Sequence, residues 1–297
     1  RIASKTKRIY IAGDDDQAIF KWAGARPEFL INMKGHRKIL GKSYRLPFKI
    51  QQKAKDLISR VEERVDKQWS SRDDEGEINY YPTEQLSKLT EGDWLVLARN
   101  KYTLDKLEEN LKVNGYYYSR NNTTSIDSRV LNGIKAWESL RKGGELSYKD
   151  VKKFYYFLHI ERSVERGHKT LQNADRDSFY NYETLTKDHG LKVNKDLPWF
   201  EALDNIPRIK SSYIRAVLRR GQNLDYSPKI KLSTIHGAKG GEADNVMLLT
   251  DLSRKTDESY WINKDEERRV FYVGMTRAKQ SLNIIRSRTN REFSEAF

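Results

Sequence analysis

The sequence predicts an α/β fold: a parallel sheet with helices on its faces, interrupted by a mostly helical insert. Strand-like and helix-like segments alternate up to about residue 118, the pattern of parallel strands joined by crossover helices. From 119 to 228 the texture changes to charged helical stretches broken by NNTTS and Gly143–Gly144, and strand character resumes after 228. One continuous domain interrupted by another explains both halves. A chain of 297 residues with 37% hydrophobic content is long enough for two domains.

Taken in order, Ile9 to Ala12 reads as a buried strand, ended by Gly13 and the acidic GDDDQ loop, after which Pro27 opens a short helix to about Met33. Ile39 and Leu40 suggest another strand. Pro47 to Arg64 reads as a helix, with Ile50, Ala54, Leu57, Ile58 and Val61 at helical spacing. Beyond the polar turn SSRDDEGE come strands at Ile78 to Tyr81 and Trp94 to Ala98, then a helix carrying Leu104, Leu107 and Leu111 and stopping at Gly115. The insert contains helices at Ser128 to Arg141, Ser147 to His159 and Pro207 to Gly221. Its run KKFYYFLHIER looks like a base-stacking platform, but Phe154, Phe157 and Leu158 are more simply one buried helix face. Strands then follow at Lys229 to Thr234 and Asn245 to Thr250, a helix from Lys264 to about Val273, and a last strand at Leu282 to Ile285.

With 56 Lys+Arg against 42 Asp+Glu, the net charge of +14 favours a polyanionic partner such as nucleic acid. The 17 Tyr, 10 Phe and 6 Trp include flat side chains on which exposed bases can stack, although many belong to the core. The absence of cysteine excludes disulfides, thiol catalysis and cysteine-based metal sites. His36, His159, His168, His189 and His236 never pair at metal-ligand spacing, so no protein-built metal site is expected. There is no apolar run near the ~18 residues of a membrane span and no secretory leader. The opening RIASKTKRIYIAG runs straight into strand-like sequence, as in a fragment.

GHRKILGKS invites reading as a phosphate loop, but five residues separate Gly35 from Gly41 where four are required, and RKIL is strand-like where a loop should be opening a helix. Strand and turn is the better reading.

Four polar, glycine-punctuated segments lie where predicted strands end, the edge at which open α/β sheets bind ligands. In GDDDQAIFKWAGA, residues 13 to 25, the three aspartates could hold a metal but read better as a solvated turn; Gln17, Phe20 and Trp22 could touch a nucleotide and a base. In SYRLP, Tyr44 offers a ring face and Arg45 a fixed cation with five donors, against the plainer reading of a salt bridge. LSTIHGAKGGEADNV, residues 232 to 246, carries His236, Lys239 and Glu242 on a glycine-rich loop. EERRVFYVGMTRAK, residues 266 to 279, is a charged helix start leading to Arg277.

Together, and in this order, the four segments resemble motifs III, IV, V and VI of the UvrD/Rep/PcrA-like superfamily 1 DNA helicases, motif VI almost letter for letter. WLVLARNKYTLDKLEENLKVNGYYY resembles the family's strand and helix between motifs IV and V, and the insert matches the second accessory domain by position. The resemblance implies the end of a first RecA-like domain at 1–36, a second RecA-like, P-loop NTPase-type motor domain at 37–118 and 229–297, and the accessory insert at 119–228. It further implies ATP and Mg2+ as cofactors, 3′ to 5′ movement on single-stranded DNA toward a duplex junction, other replication or repair proteins as partners, and the cytoplasm of a bacterium or phage-infected cell.

Carried over by motif position, Gln17 would sense the γ-phosphate, Phe20 and Trp22 would face bases, and Tyr44 would stack on adenine. Arg45 and Arg277 would reach the γ-phosphate as arginine fingers, Glu242 the ribose or phosphate region and Lys239 the phosphates, with Thr234 and His236 along the DNA. Ala23 stands where the family has Arg, and Gly241 and Ala243 replace a Leu and an aromatic, which should loosen packing there. The family's motifs I and II, with the lysine loop and the Mg-binding acidic pair, lie upstream; Leu248 to Asp251 only mimics the latter. On its own the chain is expected not to hydrolyse ATP. The alternative is a non-catalytic helicase-like module that clamps DNA or a partner.

Overall fold

The computed structural model describes residues 8–297. The chain forms two compact units, one of residues up to 109 together with 229–297, the other of 110–228. In chain order the elements are α1 (Pro27–Ile31), α2 (Phe48–Ser59), β1 (Glu77–Tyr81), β2 (Trp94–Ala98), α3 (Lys101–Val113), β3 (Tyr118–Arg120), β4 (Thr123–Thr124), α4 (Ser128–Arg141), β5 (Leu146–Ser147) and α5 (Tyr148–Tyr155). They continue with β6 (Phe179–Tyr180), α6 (Tyr182–Asp188), α7 (Trp199–Ala202), α8 (Arg208–Arg219), β7 (Ile230–Thr234), β8 (Ala243–Leu249), α9 (Arg254–Ile262), α10 (Lys264–Met275) and β9 (Ala278–Ile285).

In the first unit the strands run parallel in the order β1-β9-β8-β2-β7. Every residue of β2 is buried, as expected of a central parallel strand covered on both faces. The register is fixed around it: Val96 faces Leu232 on one side and Met247 on the other. On one face α2 and α10 bury Ile50, Ala54, Leu57, Val270, Phe271 and Val273 against Leu97, Val246, Leu248, Leu282 and Ile284. The helix α2 begins at Phe48 because the carbonyls of Asp74 and Glu75 accept its first two N–H groups at 2.8 Å, so these otherwise orphaned donors are satisfied. That approach requires Gly76: it has a positive φ of 69°, and a Cβ there would lie 2.4 Å from the Pro47 ring.

The second unit has its own core, in which Trp137 and Leu140 of α4 meet Val151, Phe154 and Tyr155 of α5 and Val217 of α8. Phe157 and Leu158 join it, so KKFYYFLHIER contributes a buried face, with Tyr156 and His159 exposed. Local chemistry sets the helix starts: Asp127 caps α4 through the Arg129 N–H at 2.7 Å, and Asn181 and Thr184 form a reciprocal capping box on α6.

Several sequence expectations fail for identifiable reasons. Ile9 to Ala12 is not a buried strand: among the described residues it has no ladder partner, and Ile9, Tyr10 and Ile11 are exposed. Ile39 and Leu40 are likewise exposed, and the pairing nearby is a single bridge from Lys42 to Ser70. Apolar runs express a preference, but a strand exists only where a neighbour supplies its hydrogen bonds. The helix from Pro27 ends at Ile31 rather than Met33, and α2 ends at Ser59 rather than Arg64. Beyond Ser59 the chain leaves helical geometry because Glu62 N–H donates to Asp265 and Val65 N–H to Asp15, partners outside the helix. The charged α9 had no apolar periodicity by which to be found.

Phe271 stacks on Phe293 with ring centroids 4.0 Å apart and planes 4° from parallel, both fully buried. Phe271→Ala is expected to cost about 3–5 kcal/mol in urea unfolding, against about 0.5 kcal/mol or less for the exposed Ile262→Ala. Comparable losses in the two variants would show that this core does not hold the sheet.

Candidate nucleotide and nucleic-acid site

The site lies within the first unit, where the loop at 13–25 packs on the connection from β7 to β8 and on the turn between α10 and β9. Because β7 and β8 run parallel on opposite sides of β2, residues 235–242 cross from the C-terminal edge of the sheet to its N-terminal edge. Glu242 and Arg277 therefore lie at the starts of β8 and β9, not at the strand ends that the sequence pointed to. Only Thr234 and the first part of the crossing lie at a strand end.

Arg277 is 1% exposed. Its Nε donates to the Val273 carbonyl at 2.9 Å, Nη1 to the Gly241 carbonyl at 3.3 Å, and Nη2 to Thr276 Oγ1 at 3.0 Å and Gln17 Oε1 at 3.4 Å. Burial, and then the neighbouring Arg45, lower the guanidinium to about 10, still cationic at neutral pH. Arg45 is held less tightly. Its Nη1 lies 3.7 Å from Glu242, too far for a hydrogen bond, and its Nε is buried with no partner. Glu242 also faces Lys279 at 4.0 Å. At Gly241 and Ala243 the backbone meets Arg277 twice: the Gly241 carbonyl accepts from its side chain, and the Ala243 N–H donates to its carbonyl at 3.1 Å. Tyr44 projects into solvent at 83% exposure.

Gln17 sits opposite Arg277, its Nε2 donating to Asp14 at 2.6 Å while its backbone carbonyl accepts from Lys239 Nζ at 2.7 Å. Lys239 also lies 5.3 Å from the Phe20 ring centre. Phe20 is half-buried, with His236 and Trp22 edge-on at 5.7 and 5.9 Å, whereas Trp22 is 76% exposed. His236 Nε2 donates to the Ile19 carbonyl at 3.0 Å. Burial and then the positive charge of Arg99 lower its imidazole to about 4, outweighing the Ile19 bond, so the ring is neutral at pH 7. Thr234 Oγ1 accepts the Gly237 N–H at 3.1 Å. The structure thus brings Gln17, Arg45, Glu242 and Arg277 together through direct contacts and charge, and Phe20, Trp22, His236 and Lys239 into an adjoining aromatic cluster. Tyr44 and Thr234 stand at the margins.

The aspartates are not a solvated turn. Asp15 and Asp16 are 2% and 1% exposed, clamped by Arg64 and Lys67 from the segment after α2. Among the described residues no group of three or more His, Asp and Glu is arranged to hold a metal ion. Arg64 and Lys67 were missed by the sequence reading; the signal was RVDK, two cations three residues apart at and just beyond the end of the expected helix. Asp251, at the end of the strand that mimics a metal-binding motif, accepts a hydrogen bond from Ser287 at 2.9 Å.

Residues 201–289 match the family model of the UvrD-like helicase C-terminal domain. The chain is 22% identical to ATP-dependent DNA helicase Rep of Escherichia coli over 97% of its length and 57% of that protein. It is also 22% identical to the Rep helicase of Salmonella typhimurium, over 99% of the chain and 58% of the relative. A shorter stretch, 24% of the chain, is 36% identical to a probable DNA helicase II homolog of Rickettsia conorii and covers 12% of it. The chain therefore spans a little over half the length of the Rep proteins it matches. Among the described residues no helix is long and apolar enough to cross a membrane.

His236 supplies a pH test. Its contribution to stability is complete above the unfolded value of 6.5 and is lost as pH falls toward 4, because there the unfolded chain takes up a proton that the folded ring resists. The melting temperature of the native chain is expected to fall more steeply through that window than that of His236→Gln. Equal slopes would mean that the folded ring protonates freely.

Proposed function

Because the chain belongs to the UvrD/Rep-like superfamily 1 helicases, corresponding to their C-terminal portion, we propose that it is the second motor half of an ATP-dependent DNA helicase or translocase. The observation that carries the reading is the pair Arg45 and Arg277 beside Gln17, with a buried Arg45 Nε that has no acceptor in the protein. An anion with several oxygens, such as the terminal phosphate of ATP, fits that arrangement. Desolvated guanidinium groups bind such oxygens strongly and need little reorganisation as charge develops on them.

In this reading Arg277 is held rigid by its bonds to Val273, Gly241 and Thr276, and Arg45 turns toward the phosphate from the edge of the site. Gln17 reports the state of that phosphate to the aromatic cluster through the segment joining it to Phe20. ATP would supply the free energy, with its Mg2+ held by a phosphate-loop domain outside residues 1–297. Lys239, bonded to Gln17 and set against Phe20, links the two parts of the site, and Glu242 orients Arg45 and the ribose side. Tyr44 offers an exposed ring for adenine. Trp22 presents the open face on which a base of single-stranded DNA stacks, with Phe20 as its support and Thr234 and His236 beside it. The +14 charge favours the phosphodiester backbone, and the family relation favours 3′ to 5′ movement in a bacterial or phage-infected cytoplasm.

The test is single-stranded DNA-stimulated ATP hydrolysis, by this chain alone and by a longer product of the same reading frame carrying a phosphate loop. Hydrolysis is expected only from the longer protein, with Arg277→Ala lowering kcat by about 10³ or more. Trp22→Ala is expected to weaken DNA binding by about 1–3 kcal/mol. A longer protein that binds DNA but does not hydrolyse ATP would leave the non-catalytic clamp as the reading.

A further inference from the structure

Asp14, Asp15 and Asp16 converge on one ammonium group. Lys67 Nζ lies 2.8 Å from Asp14 Oδ1, 2.5 Å from Asp15 Oδ1 and 2.8 Å from Asp16 Oδ2, so each of its three N–H bonds has a carboxylate partner. The rest of the network is as complete. Arg64 binds Asp16 through two parallel bonds of 3.0 Å, Asp15 Oδ2 accepts the Val65 N–H at 2.8 Å, and Arg269 of α10 donates to the backbone carbonyls of Asp15 and Glu63. Three carboxylates thus meet three cations, two of which bind them directly, with Asp15 and Asp16 buried and Asp14 partly open to water. Burial alone would lower the Lys67 ammonium, but its hydrogen bonds to the aspartates prevail and raise it. Asp14 is the member that reaches the candidate site: one oxygen is fixed by Lys67, and the other accepts Gln17 Nε2 at 2.6 Å, which turns Gln17 Oε1 toward Arg277.

We propose that Lys67 is the positioning residue for Gln17, acting through Asp14 to set the Gln17 side chain against Arg277. The proposal rests on the reading of Gln17 and Arg277 as parts of a nucleotide site. Lys67 touches neither nucleotide nor DNA; its part is to fix the loop whose conformation decides where Gln17 points. Without it, Arg64 still holds Asp16 but Asp15 keeps only the Val65 N–H, and the uncompensated buried negative charge drives the loop out into water. Lysine suits the position because a compact ammonium can serve three carboxylates around one point, whereas the planar fork of arginine cannot.

The test uses Lys67→Met and Lys67→Arg, with Asp14→Asn as a milder lesion in case Lys67→Met does not fold. In the present chain, amide hydrogen exchange over residues 13–20 is expected to quicken by on the order of a hundredfold in Lys67→Met, while β2 and β8 keep their protection. Lys67→Arg is expected to restore it only in part. In the longer ATP-hydrolysing protein, Lys67→Met or Asp14→Asn is expected to lower kcat by on the order of a hundredfold with KM for ATP little changed. In a Gln17→Ala background neither substitution should lower kcat further, because the group they position is gone. Unchanged exchange in the loop, or a loss of kcat as large in the Gln17→Ala background as in the native one, would overturn the proposal. If the longer native protein does not hydrolyse ATP while the loop still opens in Lys67→Met, the nucleotide reading falls and the proposal with it, and Lys67 is left as a structural tether; an unchanged loop rejects the proposal whatever the ATPase shows.

Discussion

The arrangement depends first on the buried ion network between the aspartate triplet and Lys67, Arg64 and Arg269. Burying carboxylates is costly unless each lone pair finds a donor, and here the donors come from the segment after α2 and from α10. The network is therefore strict about geometry. It joins three stretches far apart in sequence at one point and leaves the loop at 13–17 little freedom. Hydrophobic contact alone could not do this: Ile19 anchors the loop to the core, but apolar packing does not fix the direction of the polar side chains beside it.

From that fixed loop the polar contacts fan out to the rest of the site. Gln17 meets Arg277, its carbonyl takes Lys239, and the Ile19 carbonyl takes His236. Backbone acceptors in a loop that is neither helix nor strand would otherwise need water, so side chains of the β7–β8 connection both satisfy them and become oriented by them. The neutral state of His236 follows from its burial and then from the positive charge of Arg99 nearby, which together outweigh the bond to Ile19. Phe20, wedged among His236, Lys239 and Trp22, gives the exposed Trp22 ring a firm base.

How much of this was legible in the sequence depends on the range of the interaction concerned. Strands such as Trp94–Ala98 and helices such as Ser128–Arg141 were readable because apolar spacing and caps are local. Gln17, Arg45, Glu242 and Arg277 could be named from motif resemblance, which carries spatial information that spacing lacks. What could not be read were pairings across long separations. Asp16 meets Arg64 only because α2 and the loop reach the same side of α10, so an acidic run that would be solvated in isolation becomes buried. The same reasoning applies in reverse to Ile9–Ala12 and Ile39–Leu40, where apolar residues looked like strands but the ladder partner that makes a strand is not beside them. The placement of Arg277 and Glu242 at strand starts was hidden for a topological reason: nothing local shows that residues 235–242 cross the whole sheet.

The completeness of the aspartate network also sharpens the meaning of its neighbour. Within a few residues the protein supplies every N–H of Lys67 with an acceptor, yet it leaves Arg45 Nε buried without one and sets Arg45 near enough to Arg277 to lower the affinity of that guanidinium for its proton. A fold able to satisfy three carboxylates at one ammonium is not short of ways to satisfy one guanidinium. Two like charges kept close, one with a donor unused, raise the free energy of the site in the absence of an anion and lower it when one arrives. Local rules of polar satisfaction are kept throughout the aspartate network but not at Arg45, and Thr103 and Arg291 likewise each keep one buried polar atom without a partner; what sets Arg45 apart is its place beside Arg277 and Glu242, and on the proposed reading its partner is a ligand.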